Sequence, residues 1–142
     1  MHRHFLNILL LLAGLLPGIA VADLVVVVNA RSGVAVMTRN EVINIYFGRN
    51  RQFFNGLEAK PVDLHDSNPA RAQFYRLLVG KEIPEINAYW SRQVFTGTMQ
   101  APPRLESTDD VLRWVANNPG GIGFIELSRA DARVRVVYEL KR

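Results

Sequence analysis

Two hydrophobic rhythms alternate along residues 23–142. Leu24-Val25-Val26-Val27-Val28 is an unbroken, β-branched run, the pattern of a strand covered on both faces, and Asn29-Ala30-Arg31-Ser32-Gly33 reads as the loop that follows it. Thr38 and Glu41 then stand at capping-box spacing, with hydroxyl and carboxylate each able to satisfy a free backbone N–H at a helix start. The helix they open places Val42 over Tyr46 and Ile43 over Phe47, and Gly48 ends it. Arg49 to Gly56 is predicted to be an exposed basic-aromatic loop, and Ala59 to Leu64 a second strand with Pro61 near its beginning.

Asp66-Ser67-Asn68-Pro69 joins that strand to a helix in which Asn68 is the N-cap and Pro69 takes the first helical position. Phe74, Tyr75, Leu78 and Val79 form its apolar stripe before Gly80. A third helix begins near Pro84 and carries Ile86, Tyr89 and Trp90; Phe95 to Arg104 is turn-rich. Ser107 and Asp110 open a fourth helix starting at Thr108, and Asn117-Asn118-Pro119-Gly120-Gly121 stops it. Ile122 to Ile125 and Val134 to Leu140 read as closing strands. The order predicts an α/β domain with one mixed, mostly parallel sheet flanked by helices beginning near Arg39, Pro69, Pro84 and Thr108.

The first 22 residues follow another logic. Met1-His2-Arg3-His4 is a short basic leader, Phe5 to Ala22 is almost wholly apolar, Pro17-Gly18 breaks it, and Ala20-Val21-Ala22 supplies the small side chains a signal peptidase reads. Cleavage after Ala22 leaves one domain, residues 23–142, in the periplasm, with no later segment able to cross a membrane. The alternative role for the stretch is a retained anchor, which the Pro-Gly pair and small-residue end fit less well. The chain has no cysteine, so disulfides, thiolate sites and an N-terminal lipid anchor are ruled out. A formal net charge of +4, with charges interspersed, does not call for nucleic acid.

Catalysis finds little support. His65 is the only histidine after Ala22, so one chain cannot assemble a multi-histidine metal site. Asp63, His65 and Asp66 lie close together without a recognisable nucleophile, and Ser32 and Ser67 sit in no nucleophile-elbow pattern. No enzyme, metal or cofactor is expected.

Three stretches together resemble a known family. Thr38 to Gly48, then Lys60-Pro61-Val62-Asp63-Leu64 running to Phe74, then Asn118-Pro119-Gly120-Gly121-Ile122-Gly123-Phe124 are similar, in order and spacing, to segments of the phosphate-type substrate-binding proteins of ABC transporters. The resemblance implies a single lobe of a type II periplasmic-binding-protein-like fold. It also implies an oxyanion such as phosphate held by helix-start N–H groups, hydroxyls and an arginine, with an inner-membrane transporter as partner. Aligned on Phe74, this sequence has Leu64, Asn68 and Ala70 where the family has arginine, serine and threonine, while Asp66 matches. Residues 23–142 are also about half of a two-lobed member.

The candidate anion site therefore comprises Ser67, Asn68 and Arg71 at the helix start, with His65 and Asp66, and Arg31 and Ser32 brought in if parallel strand ends gather on one edge. With one wall missing, affinity would be about a millimolar. Plainer roles are open to the same residues: helix capping for Ser67 and Asn68, and a solvated first-turn position for Arg71, mismatched with the helix dipole unless an anion or Asp66 is near. Trp90, Trp114 and Phe53-Phe54 read as core or loop packing, and an exposed Phe53-Phe54 would mark a docking surface. Two functions follow: an oxyanion-binding relative of transporter components, or a lobe that docks a protein such as a sensor or envelope complex.

Overall fold

The structure, a computed structural model, describes residues 23–97 and 99–141. The leader and its cleavage position at Ala22 lie outside the described residues. In chain order the elements are β1 (Leu24–Asn29), α1 (Arg39–Tyr46), β2 (Lys60–Pro61), β3 (Asp63–Leu64), α2 (Pro69–Val79), α3 (Ile83–Phe95), β4 (Arg104–Leu105), α4 (Thr108–Asn117), β5 (Gly121–Glu126), a short 3-10 turn (Leu127–Arg129) and β6 (Val134–Glu139).

The local signals act as written. Glu41 N donates to Thr38 Oγ1 at 3.2 Å and Thr38 N to the Glu41 carboxylate at 3.0 Å, so the capping box closes. Asn68 Oδ1 accepts from Ala70 N and Ser107 Oγ from Asp110 N, starting α2 and α4. Gly80 ends α2 in the left-handed conformation at φ 66°, which favours glycine.

The main sheet has the order β2-β5-β1-β6, and β3 pairs with β4 in a separate two-stranded ladder. The sheet is mixed and flanked by helices, as expected, but its parallel share is small. β1 is antiparallel to both of its neighbours, and only β2–β5 and β3–β4 run parallel. The unbroken apolar run of β1 reports burial on both faces, which is observed for all six residues, but it does not encode the direction of the neighbours. The strand expected over Ala59–Leu64 is likewise divided: Lys60–Pro61 joins β5 and Asp63–Leu64 turns to β4.

Helices cover the two faces of β5. On one, Phe124 stacks on Phe74 of α2 with ring centroids 3.9 Å apart and planes at 7°, and Tyr46 of α1 tilts against Phe74 at 4.8 Å. On the other, Gly123 lets α4 approach closely, since a Cβ there would meet Val111 Cγ1 at 2.5 Å. The preceding turn is tighter still. Lys60 N donates to Gly120 O at 2.8 Å, and a Cβ on Gly120 would lie 1.8 Å from Glu58 O. Backbone contact, not a turn preference, is what requires glycine at that position.

Candidate functional site at the start of the second helix

The loop His65–Asn68 emerges where β3 has left the main sheet, and α2 starts immediately after it. Several of the backbone donors here are already engaged. Asn68 N donates to His65 O at 2.9 Å, Pro69 has no N–H, Ala70 N donates to Asn68 Oδ1 at 3.0 Å, and Arg71 N donates to Asn68 O at 3.1 Å. The cap that makes this helix start stable thus takes up the N–H groups of Ala70 and Arg71, two of the donors an anion would use.

Arg71 is not the solvated first-turn residue that its position suggests. Its side chain is 1% exposed. Nε donates to Asp63 Oδ2 at 3.2 Å, Nη1 to Asp66 Oδ1 at 2.6 Å and Nη2 to Asn87 Oδ1 at 3.3 Å. The dipole mismatch of an arginine in a first turn is resolved by Asp66, one of the two neighbours that could relieve it. Arg104, from β4, adds a second cation: Nη1 lies 3.6 Å from Asp66 Oδ2, and Nη2 donates to Asn87 Oδ1 at 3.1 Å. Two arginines therefore converge on the half-exposed carboxylate of Asp66, one on each oxygen.

Asp63 is the buried anchor of this network. Its Oδ2 accepts from Tyr75 Oη at 2.7 Å as well as from Arg71, and its Oδ1 accepts from Leu64 N at 2.7 Å. Arg71 and Tyr75 are one helical turn apart on α2, so both reach the same carboxylate. Burial pushes the Asp63 carboxyl above its ordinary range, against the lowering effect of Arg71 and of these hydrogen bonds. Burial, with Asp63 close by, raises the Tyr75 hydroxyl well above its usual value.

The other proposed members scatter. His65 is exposed, with Nε2 3.4 Å from Glu106 Oε1. Ser67 is exposed. Arg31 and Ser32 do not join the loop: β1 runs antiparallel to β5 while β2 runs parallel to it, so the end of β1 lies beside the beginning of β2. Ser32 O accepts from Asn55 Nδ2 at 2.8 Å, and its hydroxyl accepts from Val34 N at 3.1 Å, a local turn. The grouping on one edge holds for parallel strands, and these are not parallel. Sequence reasoning missed Asn87 and Arg104, which arrive from α3 and β4 with no local signal. Asp63 was visible as a neighbour of His65, but it turns to Arg71 and Tyr75. Among the described residues no cluster of His, Asp or Glu could hold a metal ion, and no helix is long and apolar enough to cross a membrane.

No protein-family model matches the chain, and no curated protein matches it. Solved structures do. One, described as a phosphate ABC transporter substrate-binding protein with bound phosphate from Clostridium perfringens, superposes with a TM-score of 0.66 at 17% identity, covering 82% of this chain and 44% of that one. The chain has the fold of part of such a binding protein. An ABC-type phosphate transport receptor from Vibrio cholerae gives 0.64 at 19% identity, with 82% and 45% coverage. PstS from Borrelia burgdorferi gives 0.62 at 14% identity, with 82% and 47%. The chain thus spans less than half the length of these substrate-binding proteins, and at these identities the likeness is one of fold.

Proposed function

We propose that this chain is an extracytoplasmic relative of the phosphate-type binding proteins, with the fold of part of one, that works as a protein-docking module and does not carry phosphate. The observation that supports this most is the state of Arg71: the cation of the candidate site is buried and held by Asp63, Asp66 and Asn87, while the N–H groups of Asn68, Ala70 and Arg71 beside it are bonded within the chain. An arriving oxyanion would have to displace Asp66 and leave its charge nearby. Phe54 adds to the docking reading. Of the Phe53-Phe54 pair, Phe53 is core, but Phe54 stands 73% exposed.

The second reading, weak oxyanion binding with transfer to an inner-membrane transporter, draws on the likeness to phosphate-binding structures and on Asp66, whose side chain is 53% exposed. Asp66→Ala separates the two. Asp66 is a surface residue, so the variant folds, at a cost of about 1 kcal/mol. Removing the internal carboxylate leaves Arg104 and one edge of Arg71 without it, and phosphate should then bind at about a millimolar by titration calorimetry, with no binding in the parent chain. Equal, saturable binding by both proteins would overturn the docking reading.

The location rests on the leader. Protein recovered from the periplasm should begin at Asp23 by N-terminal sequencing, since Ala20 and Ala22 provide the peptidase positions. Full-length protein starting at Met1 in a membrane fraction would refute export by cleavage.

A further inference from the structure

Apart from the Asp66 loop, whose residues do not line it, lies an open groove of about 640 Å³, between α3, the loop after α1, the beginning of β2 and the segment leading to β4. Its size falls in the range of sites that take a ligand or a few residues of a peptide. Both tryptophans of the chain line it, with Met99, Pro61 and Pro102. Trp114 is fixed there by donation of its indole N–H to Lys60 O at 3.2 Å. Trp90 is 5% exposed, and its indole Nε1 is the one buried side-chain polar atom without a hydrogen-bond partner among the described residues. Trp90 and the Met99 sulfur both close over Gly48, which sits at φ 72° and has no Cβ to obstruct them. A thioether is a flexible cover, easily moved aside. Two further apolar side chains are exposed nearby in the chain: Val94 is 53% and Phe95 93% exposed at the end of α3, just before Gly97 in the groove wall.

The rim carries charge of mainly one sign. Arg51 and Lys60 line it against the single carboxylate of Glu58, and Arg49 stands close in the same loop, its guanidinium 5.8 Å from the centre of the Phe47 ring. The Lys60 ammonium has no carboxylate partner among the described residues. A second copy of this chain would bring the same cations to the same rim about a two-fold axis, and its net charge of +4 repels itself. We infer that the groove binds an extended acidic segment of a partner protein, with an aromatic or aliphatic side chain seated between Trp114 and Met99 and acidic residues beside Lys60 and Arg51. This rests on the docking reading of the chain but not on the Asp66 loop, so phosphate binding at that loop would remove the former conclusion and leave the groove experiment intact.

The test is a library of random 12-residue peptides displayed on phage, panned against the purified protein, with selected peptides then titrated by tryptophan fluorescence. The selected peptides should carry excess Asp and Glu around at least one large apolar residue, and their binding should weaken with added salt. Affinity should fall about tenfold in Trp114→Ala and several-fold in Lys60→Glu, with circular dichroism unchanged. If Trp114→Ala fails to fold, the exposed Lys60→Glu carries the comparison. Failure to enrich any peptide, enrichment without acidic bias, or equal binding by Lys60→Glu would each overturn the inference. So would sedimentation showing a dimer in which the groove tryptophans become shielded.

Discussion

Arg71→Ala should destabilise the domain by about 3–5 kcal/mol at neutral pH, although the residue sits in the first turn of a helix. The loss follows from what is left behind. Asp63, buried under α2, keeps the Tyr75 hydroxyl and the Leu64 N–H but loses its one charge partner among the described residues, and Asp66 loses its closest there. The cost should depend on pH in a direction that identifies Asp63 as its source. Burial already raises the Asp63 carboxyl in the folded state, so its contribution to stability is fullest below the carboxyl's unfolded value and declines as pH rises through the folded one. Removing Arg71 raises that carboxyl further and steepens the decline. Urea unfolding should therefore show the variant much less stable than the parent at about pH 7, with the gap narrowing as pH is lowered to about 4 and Asp63 takes up a proton. A constant gap across this range would place the loss in packing rather than in an orphaned charge.

Phe74→Ala should cost a similar amount, about 3–5 kcal/mol, and without that pH dependence. Phe74 is fully buried and touches two layers at once, stacking on Phe124 of the sheet and meeting Tyr46 of α1 and Tyr75 of its own helix. The surrounding rings have few ways to collapse into the space, because Tyr46 is tied to Val62 O by a 3.0 Å hydrogen bond. Denaturant midpoints measured at the same two pH values distinguish the two variants: Phe74→Ala shifts both equally, Arg71→Ala does not.

These two residues also mark where the sequence is legible and where it is not. Phe74 was readable as core because its stripe repeats at helical spacing, a signal contained within a few residues. The caps at Thr38, Asn68 and Ser107 were readable for the same reason, since donor and acceptor lie within one turn. Arg71 was not. Its burial depends on Asp63 from a strand and on Asn87 from another helix, and its neighbour Arg104 comes from a two-residue strand inside a stretch whose glycine and prolines read only as turns. The direction of the strands was hidden as well. Alternation and apolar runs tell which faces are covered, and β1 is covered on both whichever way β5 and β6 run. That missing direction is what placed Arg31 and Ser32 with the loop at Asp66, when the register puts them at the other end of the sheet.

The loop's own chemistry follows from the same tertiary contacts. A helix start with an arginine beside it is a general design for holding an oxyanion, and the resemblance in sequence pointed to that use. In this chain the design is filled from inside, with Asn68 capping the helix and Asp66 lying between Arg71 and Arg104. The fold keeps its packing here while the charges of this loop pair with one another.

The most direct test of this account is a phosphate titration of the isotopically labelled protein followed by NMR at the amides of Ser67, Asn68, Ala70 and Arg71. The account predicts no saturable shift at these residues up to about 30 mM phosphate, well above the millimolar affinity a half-open oxyanion site would show. Saturating shifts at Asn68 and Arg71, with a dissociation constant of about a millimolar or tighter, would contradict it and restore the loop as an anion site.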